Sequence, residues 1–370
     1  MKRILRRVLL RPVMWLANRY SSRPDKLRVH KALSDLHEHL ITNPGEKGLI
    51  LSFEAESGRF IIFSDQHKGA GNGADDFAGA EKNYLAAMRY YLERDYTYIN
   101  LGDCEELWEN SLVAVKKANV NAFEAEKAFF EKNAYIKVFG NHDLYWDNDP
   151  LAGFELEKIF GKKVPIYEGV ILQAAVSNQP LQFFLTHGHQ GDTLSDGNLF
   201  SKWFVANIWA PLQSYLGLNP NTPAYDDHLK TTHNKLMYEW AASQDGLVLI
   251  TGHTHQPVFE SLTFLERLYK KLGMARASGN AAAVSEYEQL IKLKKISGET
   301  MPDFTAYKQT YFNTGCCCFS DGDVTGIEIA DGYIRLVKWE YTEALPKRVI
   351  LEELALESLI QQVVAASAIA

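Results

Sequence analysis

The chain has 370 residues, of which 46 % are hydrophobic and 23 % are charged, and its formal net charge is −7. This length accommodates one large core with insertions or two ordinary domains. The ordinary apolar and charged fractions predict a soluble globular protein. No stretch approaches the ~20 uninterrupted apolar residues that span a bilayer, which excludes a transmembrane helix.

Charge is distributed unevenly along the chain. Residues 1–28 contain nine basic residues and one acidic residue, a local net charge of +8, which leaves −15 for the remainder. Proteins that hold long nucleic acid need lysine and arginine surfaces that neutralise phosphates. The acidic body therefore disfavours a nuclease and long nucleic-acid partners, but it does not exclude short nucleotides.

The first twenty residues combine basic and apolar side chains at helical spacing. Arg3, Arg7 and Arg11 would stack on one side of a helix, away from an apolar stripe, and Pro12 would kink it. Such a helix can lie in the headgroup layer of an anionic membrane. Two other interpretations stay open: an arm that packs its stripe on the body, and a disordered leader. We expect residues 1–45 to form a basic amphipathic extension.

From about residue 46, strand patterns alternate with helical patterns, which is typical of an α/β fold. Helices are predicted at 80–94, 122–133 and 153–160. Two further segments, 193–244 and 261–298, have helical patterns and are interpreted as insertions into a main domain at 46–345. We expect the first to cap the strand ends and the second to be a helical hairpin that turns at Ser278, Gly279 and Asn280.

The chain then returns to strands at 310–319, 324–332 and 333–341. Asp331 and Gly332 occupy the position of a two-residue hairpin turn. The remaining residues, 346–370, are predicted to form a helical tail.

Five short apolar runs each end on residues that bind metals. The runs lie at 60–67, 96–106, 135–143, 182–189 and 247–255. Each is rich in β-branched and aromatic residues and ends at a polar turn, so each predicts a buried strand whose last residues reach one edge of a sheet. That edge is where open α/β sheets bind ligands. It would collect Asp65, His67, Asp103, Asn141, His142, His187, His189, His253 and His255.

This collection of side chains predicts a metal site. Imidazole nitrogens with carboxylate and amide oxygens suit divalent cations, and two neighbouring cations need a shared ligand. Asp103 follows Gly102, whose freedom permits a tight turn that leaves both carboxylate oxygens available for bridging. A single histidine or aspartate of this kind is usually structural. Six of the eleven histidines lie in these motifs, and the convergence of so many polar groups favours a metal-dependent enzyme.

The ordered motifs resemble those of the calcineurin-like metallophosphoesterase superfamily. They are Asp65-Gln66-His67, Gly102-Asp103, Gly140-Asn141-His142-Asp143, His187 and Gly252-His253-Thr254-His255. The resemblance covers roughly residues 59–256 and implies a four-layer αββα sandwich with a two-metal centre, so that 46–345 would be the catalytic domain. The ions would be Mn²⁺, Fe²⁺ or Zn²⁺, and the composition of the site does not choose among them.

The same resemblance implies roles for the site residues. One metal would be held by Asp65, His67, Asp103 and His255. The other would be held by Asp103, Asn141, His187 and His253. A hydroxide activated by the metals would attack phosphorus. His142 would face the leaving-group oxygen as a proton donor or charge stabiliser, with Asp143 orienting its ring. His187 is assigned as the metal ligand of the H-G-H motif. His189 would lie next to the metal ligands without binding a metal itself.

The residues around the second and third motifs bear on the substrate. Phosphoprotein phosphatases carry arginines in G-D-x-x-D-R-G and R-G-N-H-E, and this chain reads GDCEELWE and VFGNHD. The absence of those arginines favours a diester or diphosphate over a phosphoprotein. The motifs also resemble bacterial UDP-2,3-diacylglucosamine diphosphatases, which implies a small substrate that is lipid- or nucleotide-linked, although this chain is much longer. The alternatives are a broad-range phosphomonoesterase and a catalytically idle scaffold.

The cysteines predict the compartment. Besides Cys104 they form one run, Cys316, Cys317 and Cys318, and adjacent thiols cannot make a framework of separate disulfides. We therefore expect a reducing, cytoplasmic location, with contact at the inner membrane face as an option. The run lacks the C-x-x-C spacing of common zinc sites, which favours buried reduced thiols over a metal site.

Overall fold

The structure, a computed structural model, describes residues 25–71, 75–107, 110–191, 227–296, 308–342 and 345–365. The predicted amphipathic segment 1–20 and most of the first predicted insertion lie outside these residues. The described helices are α1 (Lys26–Thr42), α2 (Glu81–Leu92), α3 (Leu112–Ala118), α4 (Val120–Glu131), α5 (Tyr145–Asn148), α6 (Ala152–Phe160), α7 (Asp227–Ala242), α8 (Phe264–Ala277), α9 (Ala281–Ile296) and α10 (Leu356–Ala365).

The described strands form two sheets of seven. They are β1 (Gly48–Glu54), β2 (Arg59–Phe63), β3 (Thr97–Leu101), β4 (Tyr135–Val138), β5 (Ile166–Tyr167), β6 (Gly169–Val176), β7 (Gln179–Thr186), β8 (Leu247–Thr251), β9 (Val258–Phe259), β10 (Leu262–Thr263), β11 (Tyr311–Asn313), β12 (Val324–Ala330), β13 (Tyr333–Thr342) and β14 (Leu345–Ala355). The first sheet has the order β1-β6-β7-β8-β11-β9-β10, and the second has the order β14-β13-β12-β2-β3-β4-β5.

Parallel pairing directs the site residues to one end of each sheet. In the second sheet β2, β3, β4 and β5 are parallel neighbours, and in the first sheet β7, β8 and β11 are parallel neighbours. Strands that run in the same direction end at the same edge, so the loops that follow them meet there. The sequence placed all five motif strands in one sheet, and this expectation is wrong. Three of the strands belong to the second sheet and two to the first, because the antiparallel β6–β7 hairpin builds a separate sheet.

Apolar side chains hold the sheets face to face and cover their outer faces with helices. Ile62, Ile99 and Val138 of the second sheet share a buried cluster with Leu185 and Ile250 of the first. Burying such side chains contributes about 1.5–3 kcal/mol each. The outer face of the second sheet packs on α2 and α4, and that of the first sheet packs on α1 and α7. The four-layer αββα sandwich is therefore confirmed.

Local patterns explain most of the elements. In α2, Tyr84, Met88 and Tyr91 lie on one face of the helix and are buried against the sheet. Asp331 and Gly332 adopt left-handed backbone between β12 and β13, as the hairpin prediction requires. The second helical segment forms the hairpin of α8 and α9 with its own small apolar cluster. The domain boundaries themselves stay a prediction.

The predicted helical tail is partly wrong. Residues 345–355 form β14, which pairs along its whole length with β13, and the helix α10 begins only at Leu356. The local sequence LEELALESL favours a helix, but Val349 and Ile350 suit a pleated surface and the neighbouring β13 supplies the pairing. Tertiary pairing therefore overrides local propensity. Among the described residues, no helix has the length and apolar character needed to cross a membrane.

Candidate metal centre

The loops after β2 and β3 continue the strand pairing beyond the sheet. The backbone amides of Asp65 and His67 donate to the carbonyls of Gly102 and Asp103, each at 3.0 Å. After β8, the amide of Gly252 donates to the carbonyl of His187 at 3.0 Å. These bonds fix the positions from which the site side chains project. The same edge of the molecule therefore receives residues from both sheets.

Five of the predicted ligands have left-handed backbone. The φ angles are 52° at Asp65, 49° at His67, 51° at Asp103, 70° at His253 and 54° at His255. This conformation is uncommon for residues other than glycine, and local strain of this kind costs about 1–3 kcal/mol per residue. Strain at so many neighbouring positions is typical of a functional site, because the surrounding structure must hold it in place.

Three side chains form the first group of candidate ligands. The Nε2 atoms of His67 and His255 lie 3.1 Å apart. The Oδ1 of Asp65 is 3.2 Å from the Nε2 of His255 and 3.9 Å from that of His67. The Nδ1 of His67 faces a carboxylate instead, at 3.0 Å from Glu106. A histidine that uses one nitrogen for a second partner presents the other to a metal.

The second group lies beside the first. It consists of three ligand atoms that lie within 4.8 Å of one another, one each from Asp103, His187 and His253. The Nδ1 of His187 contacts the carbonyl of Leu101 at 2.9 Å, which turns its Nε2 towards the Oδ2 of Asp103, 3.1 Å away. That same oxygen is 3.8 Å from the Nε2 of His67. Asp103 therefore lies between the two groups, where a bridging ligand would be.

Buried atoms without partners show that these residues fit metal ions. The Nε2 of His253 and the Oδ1 of Asn141 are buried and make no hydrogen bond within the described structure. Leaving a buried polar atom unsatisfied costs about 1–3 kcal/mol. Nitrogen and oxygen donors of this kind are the ligands that borderline divalent cations take. The donor set therefore fits the ions that the motifs imply.

The electrostatics of the site also favour cations. Burial alone would lower the pKa of each imidazole, but neighbouring groups outweigh it. The hydrogen bond to Glu106 and the charge of Asp103 raise the pKa of His67 to about 10. Asp103 and Asp65 raise the pKa of His187 to about 9, and Asp65 raises that of His255 to about 9. Carboxylates that hold protons on buried imidazoles would equally stabilise a bound cation.

Sequence reasoning missed Glu106. Its Oε2 lies 2.7 Å from the Nδ1 of His142 and 3.0 Å from the Nδ1 of His67. Burial raises the pKa of Glu106, but the charges and hydrogen bonds of both imidazoles outweigh it and lower the pKa to about 2. One carboxylate therefore orients both a predicted metal ligand and the predicted catalytic histidine. The signal was its position three residues after Asp103, in the loop that the motif defines.

The orienting role predicted for Asp143 is wrong, because Glu106 has that contact. Asp143 instead organises the backbone of two loops. Its carboxylate accepts hydrogen bonds from the amides of Cys104 at 2.9 Å and Asp103 at 3.3 Å, and also from Gly140. Buried amides need such partners. Asp143 thus holds the Asp103 loop against the Asn141 loop.

The structure brings all nine predicted side chains to this edge. His189 is buried beside the second group, with its ring 5.5 Å from that of His187. Burial and the neighbouring His187 lower its pKa to about 3, so its imidazole is neutral. A further histidine that the sequence did not single out, His233 of α7, stacks edge-on to His253 at 5.1 Å. The assignment of individual residues as ligands or acid stays a prediction.

A second missed feature lies behind the metal ligands. Lys68 and Lys137 are fully buried with Glu105 and Glu126. The Nζ of Lys68 is 3.1 Å from Glu105, that of Lys137 is 2.9 Å from Glu105, and Lys68 also contacts Glu126. Buried charges persist only when they are paired in this way. Behind the metal ligands, the network therefore connects the loop after β2, the loop after β3 and strand β4.

Comparisons with known proteins give one family and distant structural likenesses. The model of a family described as calcineurin-like phosphoesterase matches residues 58–257. No curated protein matches the chain significantly. Vacuolar protein sorting 29 from Cryptosporidium parvum is 12 % identical, with a TM-score of 0.30 over 80 % of this chain and 98 % of that one. A dimetal phosphatase from Danio rerio is 10 % identical, with a TM-score of 0.35 over 80 % and 100 % of the two chains.

Proposed function

Because the chain belongs to the calcineurin-like phosphoesterase family, we propose that it hydrolyses phosphoric diesters or diphosphates with two divalent metal ions. Metal-dependent phosphoester hydrolysis is the chemistry of the family. The assignment to diesters or diphosphates is supported by one observation. Two apolar side chains, Leu107 and Phe139, occupy the positions beside the candidate ligands Asp103 and Asn141 where phosphoprotein phosphatases carry arginine.

The two apolar residues belong to one apolar cluster. Phe139 is buried, Leu107 is half-buried, and both pack in the apolar cluster around Trp146. A phosphomonoester is dianionic near neutral pH and is best held by the paired donors of arginine. A diester has one negative charge and a second substituent that needs room and apolar contact. These apolar side chains at the two arginine positions, here called the apolar wall, therefore favour the diester or diphosphate.

The roles of the residues follow from their contacts. Bound divalent ions would supply an activated water and offset the charge of the phosphoryl oxygens. Asp65, His67 and His255 would hold one ion, His187, His253 and Asn141 the other, with Asp103 between them. Burial lowers the pKa of His142, but Glu106 and Asp103 outweigh it and raise the pKa. A protonated His142 is suited to give its proton to the leaving-group oxygen.

The setting of the reaction is also proposed. A lipid- or nucleotide-linked diphosphate, met at the inner face of a membrane, would suit a cytoplasmic enzyme with a basic amphipathic extension. The support is the net charge of +8 in residues 1–28, which attracts anionic headgroups. Flotation with anionic and neutral vesicles tests it. Equal flotation with both, or none with either, would remove the membrane from the proposal.

The reaction is tested with Mn²⁺, Fe²⁺ or Zn²⁺ and three substrates side by side: a phosphomonoester, a phosphodiester and a nucleotide-linked diphosphate lipid. We expect turnover of the diester or diphosphate, its loss in Asp103→Ala, and normal turnover in the exposed control Asp35→Ala. A clear preference for the monoester would identify a broad phosphomonoesterase. No turnover with any of the metals would identify an idle scaffold.

The apolar wall has its own test. Leu107 is half-buried, so Leu107→Arg places a cation beside the phosphate position without filling the core. We expect the ratio of kcat/KM for monoester over diester to rise about tenfold or more, since a charge-assisted contact contributes roughly 1.5–3 kcal/mol. Leu107→Gln is the uncharged control. An unchanged ratio in Leu107→Arg would mean that this wall does not select the substrate.

A further inference from the structure

The cysteine run that follows β11 bends at Cys317 and is hydrogen-bonded to the loop after β2 and to β12. The amide of Cys317 donates to the carbonyl of Asp65 at 3.1 Å, and the amide of Thr325 donates to the carbonyl of Cys316 at 3.0 Å. The amide of Cys316 donates to the Oγ1 of Thr325 at 3.2 Å. The Sγ of Cys317 lies 3.9 Å from the carbonyl of Thr325.

The sulfurs of Cys316 and Cys318 lie close to an imidazole. Three ligand atoms lie within 4.8 Å of one another, one each from Cys316, Cys318 and His255. The Sγ of Cys318 is 3.7 Å from the Nδ1 of His255. Around a tetrahedral zinc ion, a sulfur at 2.3 Å and a nitrogen at 2.1 Å are separated by about 3.6 Å. The spacing of Cys318 and His255 thus fits a tetrahedral ion.

His255 faces two sets of ligands with its two ring nitrogens. Its Nε2 lies 3.2 Å from the Oδ1 of Asp65, in the first group of candidate ligands. Its Nδ1 faces the thiols. Cys316 is buried, whereas Cys318 and His255 are partly exposed. An ion from solvent can therefore approach the sulfurs.

We propose that Cys316, Cys318 and the Nδ1 of His255 bind one thiophilic cation, such as Zn²⁺ or Cd²⁺, at a site that shares His255 with the hydrolytic centre. Binding forms two metal–sulfur bonds and one metal–nitrogen bond and releases the two thiol protons to solvent. The C-x-C spacing suffices because the two sulfurs already lie close together and His255 supplies the third donor. A water or a solvent anion completes the tetrahedron.

A cation bound at this site prevents His255 from binding a metal ion of the hydrolytic centre. A neutral imidazole has one nitrogen with a lone pair and one that carries a proton. When Nδ1 of His255 holds the thiophilic ion, its Nε2 carries the proton and no longer binds the neighbouring metal. The cation is therefore an inhibitor, and this part of the inference rests on the proposed function.

Titration of the full-length protein with Cd²⁺ tests the site without any assay of turnover. The sulfur-to-cadmium charge-transfer absorption in the ultraviolet should saturate at one ion per chain. Cys316→Ser and Cys318→Ser should each weaken binding by about tenfold or more, while the matched control Cys317→Ser keeps the wild-type titration. Circular dichroism checks folding, and the partly exposed Cys318 gives the variant least disturbing to the core. Wild-type titrations in both Cys316→Ser and Cys318→Ser would overturn the site.

Inhibition is tested on the Mn²⁺-loaded protein. One equivalent of Cd²⁺ should release Mn²⁺, measured by electron paramagnetic resonance of the free ion, and should stop turnover in the wild type. Cys318→Ser should keep its Mn²⁺ and its turnover. Equal release of Mn²⁺ from Cys318→Ser would show direct displacement at the hydrolytic centre and overturn the coupling. If no variant has turnover, the proposed function fails, and the absorption and Mn²⁺ measurements still decide this inference.

Discussion

The left-handed backbone at Asp65, His67, Asp103, His253 and His255 sets the direction in which each side chain leaves its loop. Each of these residues lies in a loop that follows a strand, where positive φ makes the loop turn sharply. The strained backbone therefore accompanies the convergence of the side chains, and neighbouring glycines make room for it.

Gly140 is the clearest of these glycines. A Cβ at this position would collide with the backbone amide and the Oδ1 of Asp103. We expect Gly140→Ala to reduce activity about 10–100-fold by displacing the candidate bridging carboxylate, and to destabilise the fold by about 1–3 kcal/mol. The control is Gly153→Ala in α6, where nothing lies near the added methyl. Turnover assays and urea unfolding check both, and wild-type turnover in Gly140→Ala would contradict the assignment of Asp103.

Glu106 gives the second prediction at this scale. Glu106→Gln keeps the shape of the side chain but removes the charge that faces His142 and His67. We expect kcat to fall about 10–100-fold, as for other partners of metal-site histidines. Glu131→Gln, at an exposed position of α4, is the control.

A double-mutant cycle separates the two contacts of Glu106. In the His142→Ala background, the part of the loss that acts through His142 is already absent, so Glu106→Gln should cost less there. Any remaining loss should appear as weaker Mn²⁺ binding through His67. Full additivity of the two substitutions would show that Glu106 does not act through His142.

At the scale of elements, the strands and the motif residues could be predicted, because apolar runs and turns are local signals. The partners of those elements could not. Lys137 lies in the run YIKV, which does not reveal its partner, yet Glu105 pairs in the interior with both Lys137 and Lys68. Glu106 reaches two imidazoles because its loop folds back, with its amide bonded to the carbonyl of Lys68. Both features depend on contacts between elements distant in sequence.

The buried charge network also predicts stability. Lys137→Met removes one of the two lysines that pair with the fully buried carboxylate of Glu105. Removing one partner of a buried pair costs about 3–5 kcal/mol, and we expect that loss in urea unfolding. Lys132→Met is the control, since its ion pair with Asp95 is exposed and contributes about 0–1 kcal/mol. Equal unfolding free energies for the two variants would mean that the network contributes little to stability.

At the scale of the whole molecule, the candidate centre spans the two sheets. Asp65, Asp103 and Asn141 follow strands of the second sheet, whereas His187 and His253 follow strands of the first. Direct contacts already cross this boundary, as the amide of His253 donates to the Oδ2 of Asp65 at 3.0 Å. Metal ions at this point would add bonds that join the sheets, so metal binding and sandwich stability should be linked.

That linkage gives the last prediction. A ligand that binds only the folded state at a concentration one hundred times its Kd stabilises that state by about 2.7 kcal/mol. For a chain of this size we expect Mn²⁺ to raise Tm by about 3–6 °C over the chelated protein, as measured by differential scanning calorimetry. Asp103→Asn should lose the response because the carboxylate between the two groups is gone, while Asp35→Asn on the surface of α1 should keep it. If Mn²⁺ raised the Tm of Asp103→Asn as much as that of the wild type, Asp103 would not be needed for the stabilising ion. That ion would then bind at another place in the protein.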